Sequence, residues 1–338
     1  MKARKICYDK VLPRDLHRAH NIMRAASPGK AGAISLKNKA WINGSTIRIR
    51  FVSGTQAQKD MVMDFAPKWT EFANLTFEFT DDMDAEIRVA FDPNDGAWSY
   101  VGTDNLHIPS NQTTLNLGWQ DEGVILHEFG HMIGLSHEHS NPDGGIEWNE
   151  AVVLNELAGP PNFWDEQKVR HNVLTKYNFN QIHGTEFDPD SVMLYAFPAE
   201  WTTNGIATHE NEDLSVQDET FVASEKMYPG RDQPEDTSVE LKLGISVETD
   251  IAQAGEQDVY RLKVSSAGEY TLQTFGAMDA VLSLFGPDSK TRFIAENDDG
   301  GEGLNSMLRV ELSKGTYYAQ VRHYSAHRTG TYRMMVVK

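Results

Sequence analysis

Hydrophobic residues recur along the first 230 positions in two alternating periods. In LPRDLHRAHNIMRAA, Leu12, Leu16, Ala19 and Met23 fall at helical spacing, so a short helix is expected over 12–26 before SPGKAG breaks it. WINGSTIRIRF (41–51) changes to alternation through Ile47, Ile49 and Phe51, the two-residue period of a strand. Ser53 to Gln56 fits a capping box, after which Val62, Phe65, Trp69 and Phe72 share one helical face, with Pro67 as the point of a kink. LTFEF (75–79) and AEIRVAF (85–91) are expected strands; in the second, Glu86, Arg88 and Ala90 share one face and Ile87, Val89 and Phe91 the other. TTLNLGW (113–119) is a further short strand, leading into a helix at about 122–133. Helices follow over 149–157 and 162–176, the second carrying Trp164, Val169, Val173 and Leu174, and a last one lies in LSVQDETFVASEKMYP (214–229), closed by Pro229.

After this the texture changes. YPGRDQPEDTSVE (228–240) combines Pro, Gly and charge without apolar periodicity and reads as a linker. Beyond it YRLKV, YTLQTF, VLSLF, MLRVEL, TYYAQV and YRMMVV recur between Gly-rich turns, the pattern of a β-sandwich. The expected organisation is therefore an α+β domain over 1–230, whose first 40 residues are a candidate pro-region, a linker at 231–240, and an all-β sandwich over 241–338.

The 338 residues suit two domains. A net charge of −18 excludes nucleic acid as a partner, because phosphate binding needs clustered Lys and Arg. No apolar run is long enough to span a membrane. One cysteine, Cys7, rules out an intrachain disulfide. The start, MKARKICYDKVLPRDL, is basic but lacks the apolar stretch of a Sec signal peptide.

The candidate chemistry lies at 127–137, HEFGHMIGLSH. On a helix, His127 and His131 stand one turn apart on one face, with Glu128 beside the first. Gly134 supplies the φ > 0 that ends the helix and turns the chain, bringing His137 back as a third nitrogen. Three neutral imidazoles with one open position describe a catalytic zinc site, with Glu128 as general base.

Some 50 residues on, SVMLY (191–195) resembles the Met-turn of the metzincin metallopeptidases. The two motifs together resemble the astacin-like bacterial branch of that clan. The resemblance implies a twisted sheet plus zinc helix, one catalytic Zn2+, and cleavage of an extended protein or peptide substrate lying antiparallel to an edge strand. AEIRVAF followed by GAWSYVGTD resembles that edge region. It implies Met193 as an apolar floor under the metal, and Tyr195 as a phenol that ligates zinc at rest and swings to stabilise the oxyanion. The chain departs from animal astacins in lacking their cysteines and the R-x-D-R expected after Glu138, so their bridge from this Glu to the mature N-terminus is not carried over. His139 is read as a residue behind the ligands or on the surface. Cys7 in KICYD does not match the matrix-metalloprotease switch and is read as a small buried hydrophobe, with a zinc cap by Cys7 or Asp9 as the minor alternative.

The stretch from DVYRLKV to TYRMMV resembles the bacterial pre-peptidase C-terminal domain, which accompanies secreted proteases and so implies an extracellular location. In NDDGG, Asn297, Asp298 and Asp299 offer hard oxygen ligands for a calcium ion, although an Asp-Gly hairpin turn needs none. Two other functions stay open: a dedicated effector or toxin protease with a single target protein, and an inactive binding protein, against which the intact Glu128 and histidines argue. The oligomeric state is not legible.

Overall fold

A computed structural model describes residues 6–10, 12, 35–36, 38–176, 182–183, 186–230 and 238–338. The helix expected over 12–26, apart from Leu12, and residues 231–237 of the expected linker lie outside the described residues. The last two linker positions, Val239 and Glu240, are already strand. The chain divides into two compact units, one of Met1–Trp41 and Ile47–Arg231, the other of Ile42–Thr46 and Asp232–Lys338.

The first unit is built on a six-stranded sheet. Its strands are β1 (Tyr8–Lys10), β3 (Thr46–Phe51), β4 (Thr76–Phe79), β5 (Ile87–Ala90), β6 (Ala97–Tyr100) and β7 (Leu115–Leu117), in the order β1-β6-β7-β5-β3-β4. A separate antiparallel pair joins β2 (Ser35–Leu36) to β8 (Ile182–His183). The alternation read in 46–51 is real, since Ile47 and Ile49 are fully buried. β6 runs antiparallel to β7, whereas β3, β5 and β7 run parallel.

Of the expected edge region, Ala85–Phe91 lies inside the sheet, while GAWSYVGTD supplies β6, along whose outer side β1 is laid. β5 is interior and both its faces are buried, so its polar residues need internal partners. Glu86 accepts from Arg48, and the Arg88 guanidinium donates to the carbonyls of Ala85, Glu86, Ile108 and Gln112.

Among the described residues six helices complete the unit: α1 (Gln56–Phe65), α2 (Trp69–Phe72), α3 (Glu122–Met132), α4 (Glu150–Ala158), α5 (Glu166–Val169) and α6 (Val216–Val222). The capping box is Thr55–Gln58, two residues later than expected from Ser53, and Pro67 sits in a 3-10 turn that separates α1 from α2. The helix expected over 162–176 is shorter, because Asp165 caps α5 by accepting from Lys168 N and the chain then widens into a π turn over Arg170–Leu174. That expected over 214–229 stops at Val222. Burying Met227 and Tyr228 is the stronger demand, and the Tyr228 hydroxyl donates to Ile133 O.

The second unit is a β-sandwich. One sheet has the order β10-β17-β12-β15 and the other β14-β13-β16-β11-β9, from β9 (Val239–Leu241), β10 (Val247–Ile251), β11 (Gln257–Val264), β12 (Gly268–Phe275), β13 (Ala280–Phe285), β14 (Phe293–Asn297), β15 (Met307–Leu312), β16 (Gly315–His323) and β17 (Gly330–Val337). One apolar cluster, including Leu272, Leu308 and Val336 from the first sheet and Leu262, Leu282 and Val321 from the second, lies between them. Among the described residues no helix is long and apolar enough to cross a membrane.

Candidate metal centre

α3 starts where Asp121 accepts from Val124 N, and its buried face carries His127, Glu128 and His131. Gly134 takes φ 107°, and the chain reverses so that Leu135 N bonds Gly130 O. This return brings the His137 ring within 4.5 Å of the His131 ring and 5.3 Å of the His127 ring, centroid to centroid.

Backbone carbonyls set the tautomers. His127 Nδ1 lies 2.8 Å from Val192 O and His131 Nδ1 3.0 Å from Leu135 O. A carbonyl only accepts, so both Nδ1 atoms carry the proton and both Nε2 atoms keep a bare lone pair. His127 Nε2 makes no hydrogen bond among the described residues, and His131 Nε2 stands 3.0 Å from His137 Nε2. Burial, reinforced by the neighbouring histidines, pushes His127 down to about 3 and His137 well below the usual imidazole range, which keeps both neutral. Neutral lone pairs crowded together in a dry site are a donor set that fits a bound zinc ion.

Glu128 is fully buried; among the described residues no nitrogen or oxygen donor reaches its carboxyl, and the Cys7 thiol is the hydrogen-bonding group that faces it. Burial, then the charge of Asp9, pushes its carboxyl well above the usual range. A buried carboxyl faced only by a weak thiol donor, beside the imidazole cluster, is costly, and such groups mark functional sites.

The Met-turn closes the site from below. Val192 O takes the His127 proton, Met193 O accepts from Glu138 N at 2.9 Å, and Met193 Sδ packs against Gly130. A Cβ at Gly130 would sit 2.3 Å from that sulfur and 3.1 Å from Trp69 Cζ2. On an open helix Gly→Ala gains about 1 kcal/mol, whereas overpacking costs about 1–3 kcal/mol. Gly130→Ala is therefore expected to be destabilising by roughly 1 kcal/mol in urea unfolding. A higher midpoint would show that Met193 yields freely.

Asp218, which the sequence motifs did not single out, anchors this turn by accepting from Ser191 Oγ at 2.7 Å and Val192 N at 2.9 Å. Its signal was the Ser215–Asp218 capping box that opens α6.

Cys7 is the main correction. It is buried, but not merely as a hydrophobe: among the described residues its sulfur forms a metal-competent group with His127 and His137, all ligand atoms within 4.8 Å of one another. Burial, then the Glu128 carboxyl, pushes the thiol up. Tyr195 donates to the Cys7 carbonyl, with its ring 4.2 Å from that of His137. β1 pairs parallel with β6, Tyr8 opposite Trp98 and Lys10 opposite Tyr100.

The remaining candidates separate. His139 is fully buried, not on the surface; its ring stacks on Tyr195 at 4.4 Å and its Nε2 meets Asn172 O at 2.8 Å. Glu138, pushed up to about 8 by burial, accepts from Asn141 Nδ2 and Asp188 N. In the sandwich, Asn297 Oδ1 accepts from Gly300 N and Met307 N, so that oxygen closes a turn, and Asp298 and Asp299 join no metal-competent group among the described residues.

Residues 33–221 match the profile of the astacin family of peptidases. A solved structure of myroilysin is similar, with 35% identity and a TM-score of 0.54, covering 56% of this chain and 96% of that one. Zinc metalloproteinase nas-13 of Caenorhabditis elegans is 33% identical over 127 residues, 37% of this chain and 25% of nas-13. Tolloid-like protein 1 of Mus musculus is 25% identical over 190 residues, 52% of this chain and 17% of that protein. The chain thus spans a quarter or less of these two curated relatives.

Proposed function

The chain belongs to the astacin family of zinc metalloendopeptidases, and from that premise we propose that it hydrolyses peptide bonds of proteins at the cluster around α3, with His127, His131 and His137 holding the zinc. The observation that carries this reading is the convergence of imidazole nitrogens beside the buried Glu128 carboxyl. When bound, the zinc supplies Lewis-acid polarisation of the scissile carbonyl and acidifies the attacking water.

The protein's own groups do the rest. Glu128 takes a proton at its carboxylate and returns it to the leaving amine, and its dry surroundings favour the protonated form it passes through. The Tyr195 phenol already donates to a peptide carbonyl, that of Cys7, and the same donor is proposed to serve the substrate oxyanion. Substrate is proposed to extend along β6, running antiparallel to it.

That edge is covered here by β1, whose direction is parallel. We therefore read the segment around Cys7 as holding the enzyme latent. Its thiol stands at the proposed zinc, its backbone fills the substrate edge, and its reversed direction presents the peptide bonds backwards to Glu128 and Tyr195. Extracellular action belongs to the same proposal and rests on the resemblance to exported bacterial enzymes. Calcium at Asn297–Asp299 is not part of it.

The test is digestion of a denatured protein panel by the Cys7→Ser protein, before and after 1,10-phenanthroline and after zinc is restored. Cleavage of several proteins, lost on chelation and recovered with zinc, is the expected result. A zinc-loaded protein that cleaves nothing would sink general proteolysis and leave the single-target effector reading.

A further inference from the structure

The Tyr195 phenol relies on its neighbours to hold its direction. Its hydroxyl donates to the Cys7 carbonyl, which belongs to the segment proposed above to leave, whereas its ring contacts stay with the catalytic unit. The ring lies 5.9 Å from that of His127, 4.2 Å from that of His137 and 4.4 Å from that of His139, centroid to centroid. The first two imidazoles are committed to zinc in the reading above. His139 is the third, and it stacks on the phenol with 28° between the planes.

His139 is itself held from several sides. It is fully buried in the 3-10 turn Glu138–Ser140, which follows directly on His137. Its Nε2 lies 2.8 Å from Asn172 O; a carbonyl only accepts, so this nitrogen carries the proton. That carbonyl is presented by the π turn Arg170–Leu174, closed by Thr175 N to Arg170 O at 2.9 Å. Trp148 meets the imidazole edge-on at 5.8 Å and is backed by Phe197 at 4.8 Å. His139 Nδ1 meets no hydrogen-bond partner among the described residues, a cost that an apolar ring would avoid. What the imidazole supplies is a flat face together with a donor that fixes its plane, and the face is turned to Tyr195.

We propose that His139, oriented by the Asn172 carbonyl, is a positioning residue that holds the Tyr195 phenol where it donates to the substrate oxyanion. This rests on the peptidase reading and on departure of the Cys7 segment, and it adds a residue to that mechanism. His139 acts through Tyr195, with no part in moving the proton. Because the oxyanion forms only in the transition state, the effect of His139 falls on kcat and leaves KM.

The experiment measures kcat, KM and zinc content in the full chain carrying Cys7→Ser, on a quenched fluorescent peptide copied from a cut site in denatured casein. Tyr195→Phe is expected to lower kcat by about 10²-fold. His139→Gln keeps a donor for Asn172 O and removes the flat face. It should lower kcat roughly 5- to 10-fold, the size of one ring contact, with KM and zinc content unchanged. His139→Phe keeps the face and loses the bond, so it should recover most of that kcat while lowering the unfolding midpoint. Added to Tyr195→Phe, His139→Gln should change kcat by less than about twofold, a coupling that general loosening of the site does not produce. Unchanged kcat in Tyr195→Phe or His139→Gln, a His139→Phe protein as slow as His139→Gln, a fall in zinc content, or an undiminished loss in the Tyr195→Phe background each overturns the positioning role while leaving the peptidase standing. A zinc-loaded Cys7→Ser protein that cuts nothing refutes the peptidase reading and this one with it.

Discussion

Glu128→Gln, made in the Cys7→Ser protein, is expected to lower hydrolysis of a denatured substrate by about 10²- to 10⁴-fold, the range a positioned general base contributes. The expectation comes from what surrounds the carboxyl. It is fully buried, is faced by no donor stronger than the Cys7 thiol among the described residues, and is pushed well above the usual carboxylate range by burial and by Asp9. A group that holds the fold together would be paired. Gln keeps the volume and removes the proton acceptor, and it leaves the ring nitrogens of His127, His131 and His137 untouched. Zinc content by atomic absorption should therefore stay at that of the parent while kcat falls. Because burying a carboxyl without a strong partner costs stability, the unfolding midpoint should hold or rise. Retention of a tenth of the parent activity would remove Glu128 from the proton-transfer role.

Cys7→Ser should act in the opposite sense. The full chain is expected to become at least about tenfold more active, since losing only about 1.4 kcal/mol of contact already moves a closed–open equilibrium tenfold. The contacts that hold the segment over the centre include the thiol with His127 and His137, the β1–β6 pairing, the Tyr195 bond to the Cys7 carbonyl and the bonds of Asp9 to His171 and Asn172. Serine preserves the size and the backbone contacts but gives up the thiolate, the soft ligand that zinc favours. Burial works against the thiolate in the metal-free site, so the thiol's contribution depends on the cation. The parent Cys7 should accordingly resist alkylation until zinc is stripped. Equal activity and equal alkylation rates in the presence and absence of zinc would return Cys7 to the role of a small buried side chain.

Both experiments turn on residues whose legibility in the sequence differs. The clustering of His127, His131 and His137 could be foreseen because helix pitch and the freedom of Gly134 at φ 107° are local backbone properties. Met193 and Tyr195 could be foreseen from SVMLY alone, although the hydroxyl's partner could not. Six sandwich strands stood out for the same reason, since an alternating apolar face states its own secondary structure. Element ends were less visible. The helix after 214 stops at Val222 because Tyr228 finds a better place on Ile133 O than in another turn of helix.

The edge strand shows the limit most clearly. The resemblance places Ala85–Phe91 at the edge, yet the strand is interior, and its Glu86 and Arg88 are buried and satisfied by Arg48 and by backbone carbonyls. By itself, then, the sequence determined most of the elements, the clustering of three imidazoles and the carboxyl beside them, because these follow from periods of two and 3.6 residues and from one glycine. Only the tertiary structure decided that Cys7 stands 120 positions away from His127 yet at the same centre, that Asp9 meets His171, and that Asp218 steadies the Met-turn. Those pairings are selected by desolvation. A thiol or a carboxylate taken out of water needs a partner, and no local spacing states which one packing will supply.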